Sequence, residues 1–336
     1  MNIIIIHFIK LHHLVIDVAS HNLLQHKSSV EMEIIMFKII SDTACDYTLD
    51  YANSIDVTLV PFYVTFDEKN YYKDLYELSV EDFYQKIINN KIYPKTSLPS
   101  VQDYTDTFLP YVEKNIPVVA MTISTVLSGS YNSARIAAEQ LKEKYPDAKI
   151  EVINSQLNSA AQGLLVYEAV RMNRGNVDFD TAVKILRKMT SIGTVIFTIE
   201  NLDYLKKGGR IGKLATLITG VLNIRPTIFL KNGELNIAGI SRTRKKSIQL
   251  IFENVKKHFL NNHIDPQTYN FSTGSANRYE ERDELRKNIE EAFNIKCVES
   301  RERFDGRVSI ITGCHTGAYT TGIGFMPKYE TMLSEI

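Results

Sequence analysis

The sequence predicts an α/β protein of two domains, the first a mainly parallel sheet flanked by helices and the second α+β. Three observations carry this prediction. Short β-rich runs alternate with helical stretches at intervals of tens of residues up to about residue 198, the rhythm of a sheet covered on both faces. Polar, hydroxyl-rich turns follow several strands at their carboxyl ends, where open parallel sheets bind ligands. Beyond residue 200 the rhythm breaks, and Asn232-Gly233 between two β-rich runs signals a hairpin. The expected boundaries are an N-terminal α/β domain over 36–197 and a C-terminal α+β domain over 198–336.

Residues 1–35 stand apart from this rhythm. Five of the eight histidines, His7, His12, His13, His21 and His26, fall in the first 26 positions. The apolar run 3–6 is broken by His7, Lys10, His12, His13 and Asp17, too soon and too often for a bilayer span. Neither a leading positive charge nor small residues behind the run marks a secretory signal. The stretch reads as a poorly ordered extension, consistent with an upstream start in the translated frame. A histidine-rich metal tail is the alternative, but the spacing fits no compact ligand set.

Strand 38–41 ends in the polar turn Ser41-Asp42-Thr43-Ala44-Cys45-Asp46. The run 57–66 is apolar and β-rich, with Pro61 indicating an edge or a bend. Ser79 is placed to cap a helix over 80–89 that sets Phe83, Ile87 and Ile88 on one face. In Lys95-Thr96-Ser97-Leu98-Pro99-Ser100 the proline turns Leu98 away from helix, and a helix over 101–114 follows. Strand 117–123 leads through a serine-rich loop into helix 134–144. Strand 149–153, the turn 154–159, helices 160–172 and 179–189 and strand 194–198 complete the first half. The second half holds a glycine-rich basic stretch over 202–213, the hairpin 226–240, helices 245–258 and 277–292, and strands 268–272, 295–299 and 307–313.

Composition narrows the function classes. The 336 residues are 44% hydrophobic and 23% charged, as in a soluble globular protein. Lys plus Arg equals Asp plus Glu at 39 each, which argues against a protein that neutralises a nucleic-acid backbone. Cys45, Cys297 and Cys314 are widely spaced and form no CxxC, so neither a disulfide framework nor a zinc site is expected, and a cytoplasmic location is.

The loop 124–133 carries four serines: Ser124, Ser128, Ser130 and Ser133. A strand–turn–helix junction leaves backbone N–H groups unpaired at the positive end of the helix dipole, and with these hydroxyls it favours an anion. Helix capping alone accounts for one or two serines. Phosphate, carboxylate and water all remain open as the partner at this level. The turns at 41–46, 96–97 and 154–159 converge on the same end of the sheet, which favours a site over a cap.

Five stretches in order resemble the DegV family, the bacterial fatty-acid-binding proteins. They are Ser41-Asp42-Thr43-Ala44-Cys45-Asp46, Thr96-Ser97-Leu98-Pro99-Ser100, Leu127-Ser128-Gly129-Ser130-Tyr131, Lys207-Gly208-Gly209-Arg210-Ile211 and His315-Thr316-Gly317. The similarity runs from about Phe37 to the C-terminus. It implies a two-domain protein that encloses one long-chain fatty acid in an apolar tunnel, with no cofactor and no metal. On this resemblance Thr96 and Ser128 hold the carboxylate, His315 and Arg210 complete the head-group network, and Ser97, Gly129 and Ser130 support it. It also implies delivery of the acid to a partner fatty acid kinase that makes acyl-phosphate for phospholipid synthesis. Two departures stand out: His315-Thr316-Gly317-Ala318-Tyr319 replaces the family's His-x-Gly-Pro-Gly, and Asn154 stands where many relatives have Asp.

The rival class is an acyl hydrolase with Ser128 as nucleophile and His315 as base. Against it, the chain has no G-x-S-x-G elbow, and Cys314 beside His315 on a strand would face the other way. Phosphate-binding loop and dinucleotide motifs are also missing. Arg242-Thr243-Arg244-Lys245-Lys246 and Lys206, Lys207, Arg210 and Lys213 read as a solvated basic face or as a patch for an acidic partner or an anionic membrane surface. Nucleic acid is not an expected partner.

Overall fold

The computed structural model of the protein describes residues 36–218, 224–302 and 304–334, so the expected extension over 1–35 lies outside the described residues. Four parallel strands, β1 (Lys38–Asp42), β2 (Val57–Val60), β6 (Val118–Thr122) and β7 (Ile150–Asn154), form a sheet in the order β2-β1-β6-β7. Side chains alternate along each strand and divide the apolar residues between two cores. Ile39, Val57, Val119, Met121 and Ile153 face one core; Ile40, Val60, Val118, Ala120 and Val152 face the other. The second core is closed by α3 (Val101–Val112) and α4 (Ser130–Lys144) through Tyr104, Phe108, Ala134, Ala137 and Leu141. A capping box starts α3: Ser100 Oγ accepts from Asp103 N–H, and the Asp103 carboxylate accepts from Ser100 N–H.

The first core contains α1 (Leu49–Ser54), α6 (Phe179–Met189) and above all α5 (Ser159–Arg174), of whose 16 residues 13 are buried. A helix buried on all sides must be enclosed on all sides. Against its other flank lies a five-stranded antiparallel sheet in the order β10-β9-β8-β12-β11. Its strands are β8 (Thr194–Thr198), β9 (Arg225–Lys231), β10 (Glu234–Ser241), β11 (Tyr269–Ser275) and β12 (Thr321–Pro327). The outer face of that sheet is covered by α8 (Arg244–Asn261) and α9 (Tyr279–Phe293), which pack Ile251, Val255, Phe259, Leu285 and Ile289 on Ile196, Phe271 and Phe325. Within α5 the fully buried Glu168 pairs with Arg171 and accepts from the Asn270 amide and Tyr329 N–H, so one carboxylate joins α5 to the C-terminal sheet and tail.

A smaller antiparallel sheet, β4-β3-β5, is made by β3 (Tyr63–Thr65), β4 (Tyr71–Lys73) and β5 (Lys95–Ser97). Four helices remain: α2 (Val80–Asn90), α7 (Asp203–Lys207), α10 (Ile310–Thr316) and α11 (Glu330–Leu333). Among the described residues no helix is long and apolar enough to cross a membrane.

Four expected elements take a different form, and strands β4 and β12 have no counterpart in the sequence expectation. The single strand over 57–66 breaks at Pro61 into β2 and β3, which belong to different sheets. Strand 194–198 is β8, which pairs antiparallel with β9 and β12 and takes no part in the parallel sheet. The strand expected over 295–299 is replaced by a short 3₁₀ turn, Val298–Ser300. The strand expected over 307–313 is replaced by α10, because Ser309 caps it by accepting from Thr312 N–H at 3.3 Å and its β-branched residues pack as a helix against Phe83 and Tyr84. By contrast, Asn232 and Gly233 both take positive φ, 52° and 78°, as a tight hairpin between β9 and β10 requires.

The close approach of α5 to β12 depends on Gly324, where an added Cβ would lie 2.6 Å from Ala161 N and 2.8 Å from Ala160 C. Gly324→Ala is expected to force α5 off the sheet and cost about 1–3 kcal/mol in urea unfolding. An unchanged midpoint would contradict this packing.

Candidate functional site

The site is built on the carboxylate of Asp42, at the carboxyl end of β1 and fully buried. Its Oδ2 accepts from Ile123 N–H at 2.9 Å and from Ser130 Oγ at 2.8 Å, and its Oδ1 accepts from Gln162 Nε2 at 2.7 Å. Burial raises its pKa, and these hydrogen bonds oppose the rise. Tyr104 OH and Ser130 Oγ are 2.7 Å apart. The first residue of α4 is thereby tied inward, beneath the serine loop.

Ser128 sits above this anchor. Its N–H donates to Ser124 O at 3.1 Å, and its Oγ accepts from Ser130 N–H at 3.2 Å, which leaves its own hydroxyl proton without a protein acceptor among the described residues. Gly129 caps α4 through its backbone, and a Cβ there would meet Leu98 Cδ2 at 3.1 Å. From the opposite side β5 presents Thr96, whose Oγ1 lies 3.1 Å from His315 Nε2 on α10. The Nδ1 edge of that imidazole is packed on Gly208, where a Cβ would collide with the ring, and Nδ1 has no partner. Arg210 donates from Nε to Leu127 O at 3.1 Å and from Nη1 to Gly208 O at 2.6 Å. Among the described residues no carboxylate pairs with Arg210.

These groups share one cavity of 330 Å³, within the roughly 300–1,000 Å³ typical of ligand pockets. Thr96, Ser97, Ser128, Arg210 and His315 line it, beside an apolar wall that includes Phe62, Ile123, Leu127, Phe197, Leu235 and Ile311. Of the seven residues expected at the site, five are thus brought together. Gly129 and Ser130 do not line the cavity: Gly129 shapes the turn, and the Ser130 hydroxyl is engaged with Asp42 and Tyr104. Sequence reasoning missed Asn158, Thr312 and Thr316. Asn158 lay within a turn recognised as polar, whereas the expected strand over 307–313 hid the helical face that carries Thr312 and Thr316.

The arrangement offers hydrogen-bond donors. No hydrogen bond joins Ser128 to His315 among the described residues, and His315 Nδ1 meets no carboxylate. Cys314 is buried in the apolar cluster with Phe83 and Ile310, where burial raises its thiol pKa well above the ordinary value. Among the described residues no group of three or more His, Cys, Asp or Glu side chains is arranged to hold a metal.

Burial, reinforced by the positive charge of Arg210, lowers the His315 pKa from 6.5 to about 4. Between those values the unfolded chain takes up a proton that the folded chain refuses. This contribution to stability is therefore complete above about pH 6.5 and is lost as pH falls toward about 4. Asp42, Asp46 and Asp74, all raised by burial, act in the opposite sense and gain stability as pH falls. Comparing the wild type with His315→Gln isolates the imidazole. The stability difference between them should shift against the wild type by on the order of 2–3 kcal/mol from neutral pH to about pH 4. A difference independent of pH would contradict the assignment.

Residues 36–328 match the family described as "Uncharacterised protein, DegV family". A DegV domain-containing protein of Clostridium perfringens is 30% identical over 292 residues, covering 86% of this chain and 97% of that protein. A "Fatty acid-binding protein" of Thermotoga maritima is 31% identical over 224 residues, or 66% of this chain and 76% of that protein. Among solved structures, a stearic acid-binding protein from Eubacterium ventriosum superposes with a TM-score of 0.82 at 39% identity, covering 88% of this chain and 99% of that one. Matched from residue 36 to residue 328 and aligned almost end to end with such relatives, the chain belongs to the DegV family.

Proposed function

We propose that the protein binds a long-chain fatty acid, with its carboxylate among Thr96, Ser128, Arg210 and His315 and its tail along the apolar wall. The observation that carries this reading is a hydroxyl and a guanidinium that face no carboxylate among the described residues, at one side of an apolar cavity. The guanidinium of Arg210, bonded to two carbonyls but to no carboxylate, and the uncommitted proton of Ser128 both favour an anion. The imidazole adds a third donor path. A buried N–H without a partner costs more than a bare ring nitrogen, so the proton belongs on Nε2 and Nδ1 faces Gly208 unprotonated. Nε2–H then donates to Thr96 Oγ1, and the Thr96 hydroxyl proton is left for the carboxylate.

A buried carboxylate is tolerable only when satisfied in this way. Affinity comes mainly from the tail, at about 0.8 kcal/mol per buried CH₂, before ordering and association costs are deducted. The description of the Eubacterium ventriosum protein as stearic acid-binding, at 39% identity, supports the same ligand class here. On this reading the chain is not itself an enzyme. It presents the carboxylate to a partner fatty acid kinase in the cytoplasm, which phosphorylates it for phospholipid synthesis. Lys206, Lys207, Arg242 and Lys245 supply the positive charge that such a partner or, transiently, an anionic membrane surface would meet, while Arg244 and Lys246 pair with Glu281 and Glu253.

Native mass spectrometry of the purified protein should reveal a co-purifying fatty acid, and delipidated protein should reload with palmitate or oleate. A protein that is empty and does not reload contradicts the reading. Ser128→Ala should weaken acid binding by about 1.5–3 kcal/mol, the loss of one hydrogen bond to a charged group. Unchanged affinity would move the head group elsewhere, and ester turnover abolished by both Ser128→Ala and His315→Ala would favour a hydrolase.

A further inference from the structure

The cavity contains a polar feature that a plain acyl chain leaves unused. Asn158, 7% exposed, lines it from the residue before α5, and its Oδ1 is buried without a hydrogen-bond partner. The side chain makes no cap bond to α5. Thr312, also 7% exposed, lines the same spaces; its Oγ1 accepts from Ser309 Oγ at 3.1 Å, and its own proton is uncommitted among the described residues. Asn158, Thr312 and Phe197 are shared with a pinched extension of the cavity, a space of 10 Å³ between α5 and β8, β11 and β12. They therefore form the partition between the two spaces. Thr312 lies one helical turn before His315, so the partition is distinct from the Thr96–His315 contact.

A buried amide without a partner costs free energy that a ligand can recover. Methylenes alone would leave it unpaired. No ionisable side chain belongs to the partition, so the group it suits is small, neutral and polar. Asn158 can accept through Oδ1 and donate through Nδ2, and Thr312 can donate. A hydroxyl can donate and accept at once and suits either orientation of the amide, whereas a keto oxygen only accepts. We infer that the cavity selects long-chain acids bearing a hydroxyl on the tail, with Asn158 and Thr312 as the residues that read it. The inference rests on the fatty-acid reading of the cavity.

The test is competitive binding to the delipidated full chain of palmitate, stearate, 3-hydroxypalmitate, 16-hydroxypalmitate, 10-hydroxystearate and 12-hydroxystearate. At least one hydroxy acid should bind about three- to tenfold tighter than its unsubstituted parent. In Asn158→Leu that preference should vanish or reverse, with the parent acid gaining. Thr312→Val, nearly isosteric, should reduce the preference in a variant that retains the Asn158 environment. The inference is overturned if no hydroxy acid in the panel binds tighter than its parent, as when a trapped water satisfies Asn158, or if both variants keep the wild-type ratio. Tight parent binding without a hydroxyl preference overturns this inference alone. Binding of neither class overturns the fatty-acid reading as well.

Discussion

The buried carboxylate of Asp42 is the constraint on which the site depends. It terminates β1 inside the protein, where an unsatisfied charge would be prohibitive, and three elements converge to satisfy it. Ile123 supplies the backbone at the exit of β6, Ser130 the first turn of α4, and Gln162 the first turn of α5. The serine loop is thus held at both ends by one side chain. Ser128 owes its position above the cavity to that tether more than to any bond of its own, since its Oγ only accepts from Ser130 N–H. The serine beside it is occupied structurally so that this one can be free.

The same logic extends to α5. A helix enclosed between a parallel and an antiparallel sheet can carry polar residues only where each has a partner. Gln162 bonds Asp42, Glu168 bonds Arg171, Asn270 and the Tyr329 backbone, and Ser159 bonds Asp46. Gly163 lets the helix approach the turn after β1, where Tyr47 OH donates to Gly163 O at 2.6 Å. Several buried polar atoms remain unpartnered, Gln162 Oε1 and both Asp74 oxygens among them, but apart from His315 Asn158 is the one that also lines the cavity.

Much of this was legible in the sequence. Polar turns at strand ends and the serine loop were recognisable because their chemistry is local, hydroxyls at a helix start. Asn232-Gly233 was equally local. The roles expected of Thr96, Ser128, Arg210 and His315 came instead from the family resemblance of their motifs. What escaped depended on tertiary context. Residues 307–313 read as a strand because Val308, Ile310, Ile311 and Thr312 are β-branched, yet the Ser309 cap and the packing against Phe83 and Tyr84 make a helix, and with it the face that joins Thr312 to His315. Residues 194–198 read as one more parallel strand because periodicity does not report the direction of a partner. Ser130 was expected to support the loop, and its bond to Asp42 shows how it is held, which no local pattern reveals.

The central claim is that Thr96, Ser128, Arg210 and His315 receive an ionised carboxylate. Carbon-13 spectroscopy of carboxyl-labelled palmitate bound to the protein tests it most directly. The account predicts a single bound carboxyl resonance that stays in its ionised position as pH is lowered below the ordinary carboxylic-acid range, because the surrounding donors favour the anion. A bound resonance that titrates as it does in a lipid vesicle, or no bound resonance at all, would contradict it.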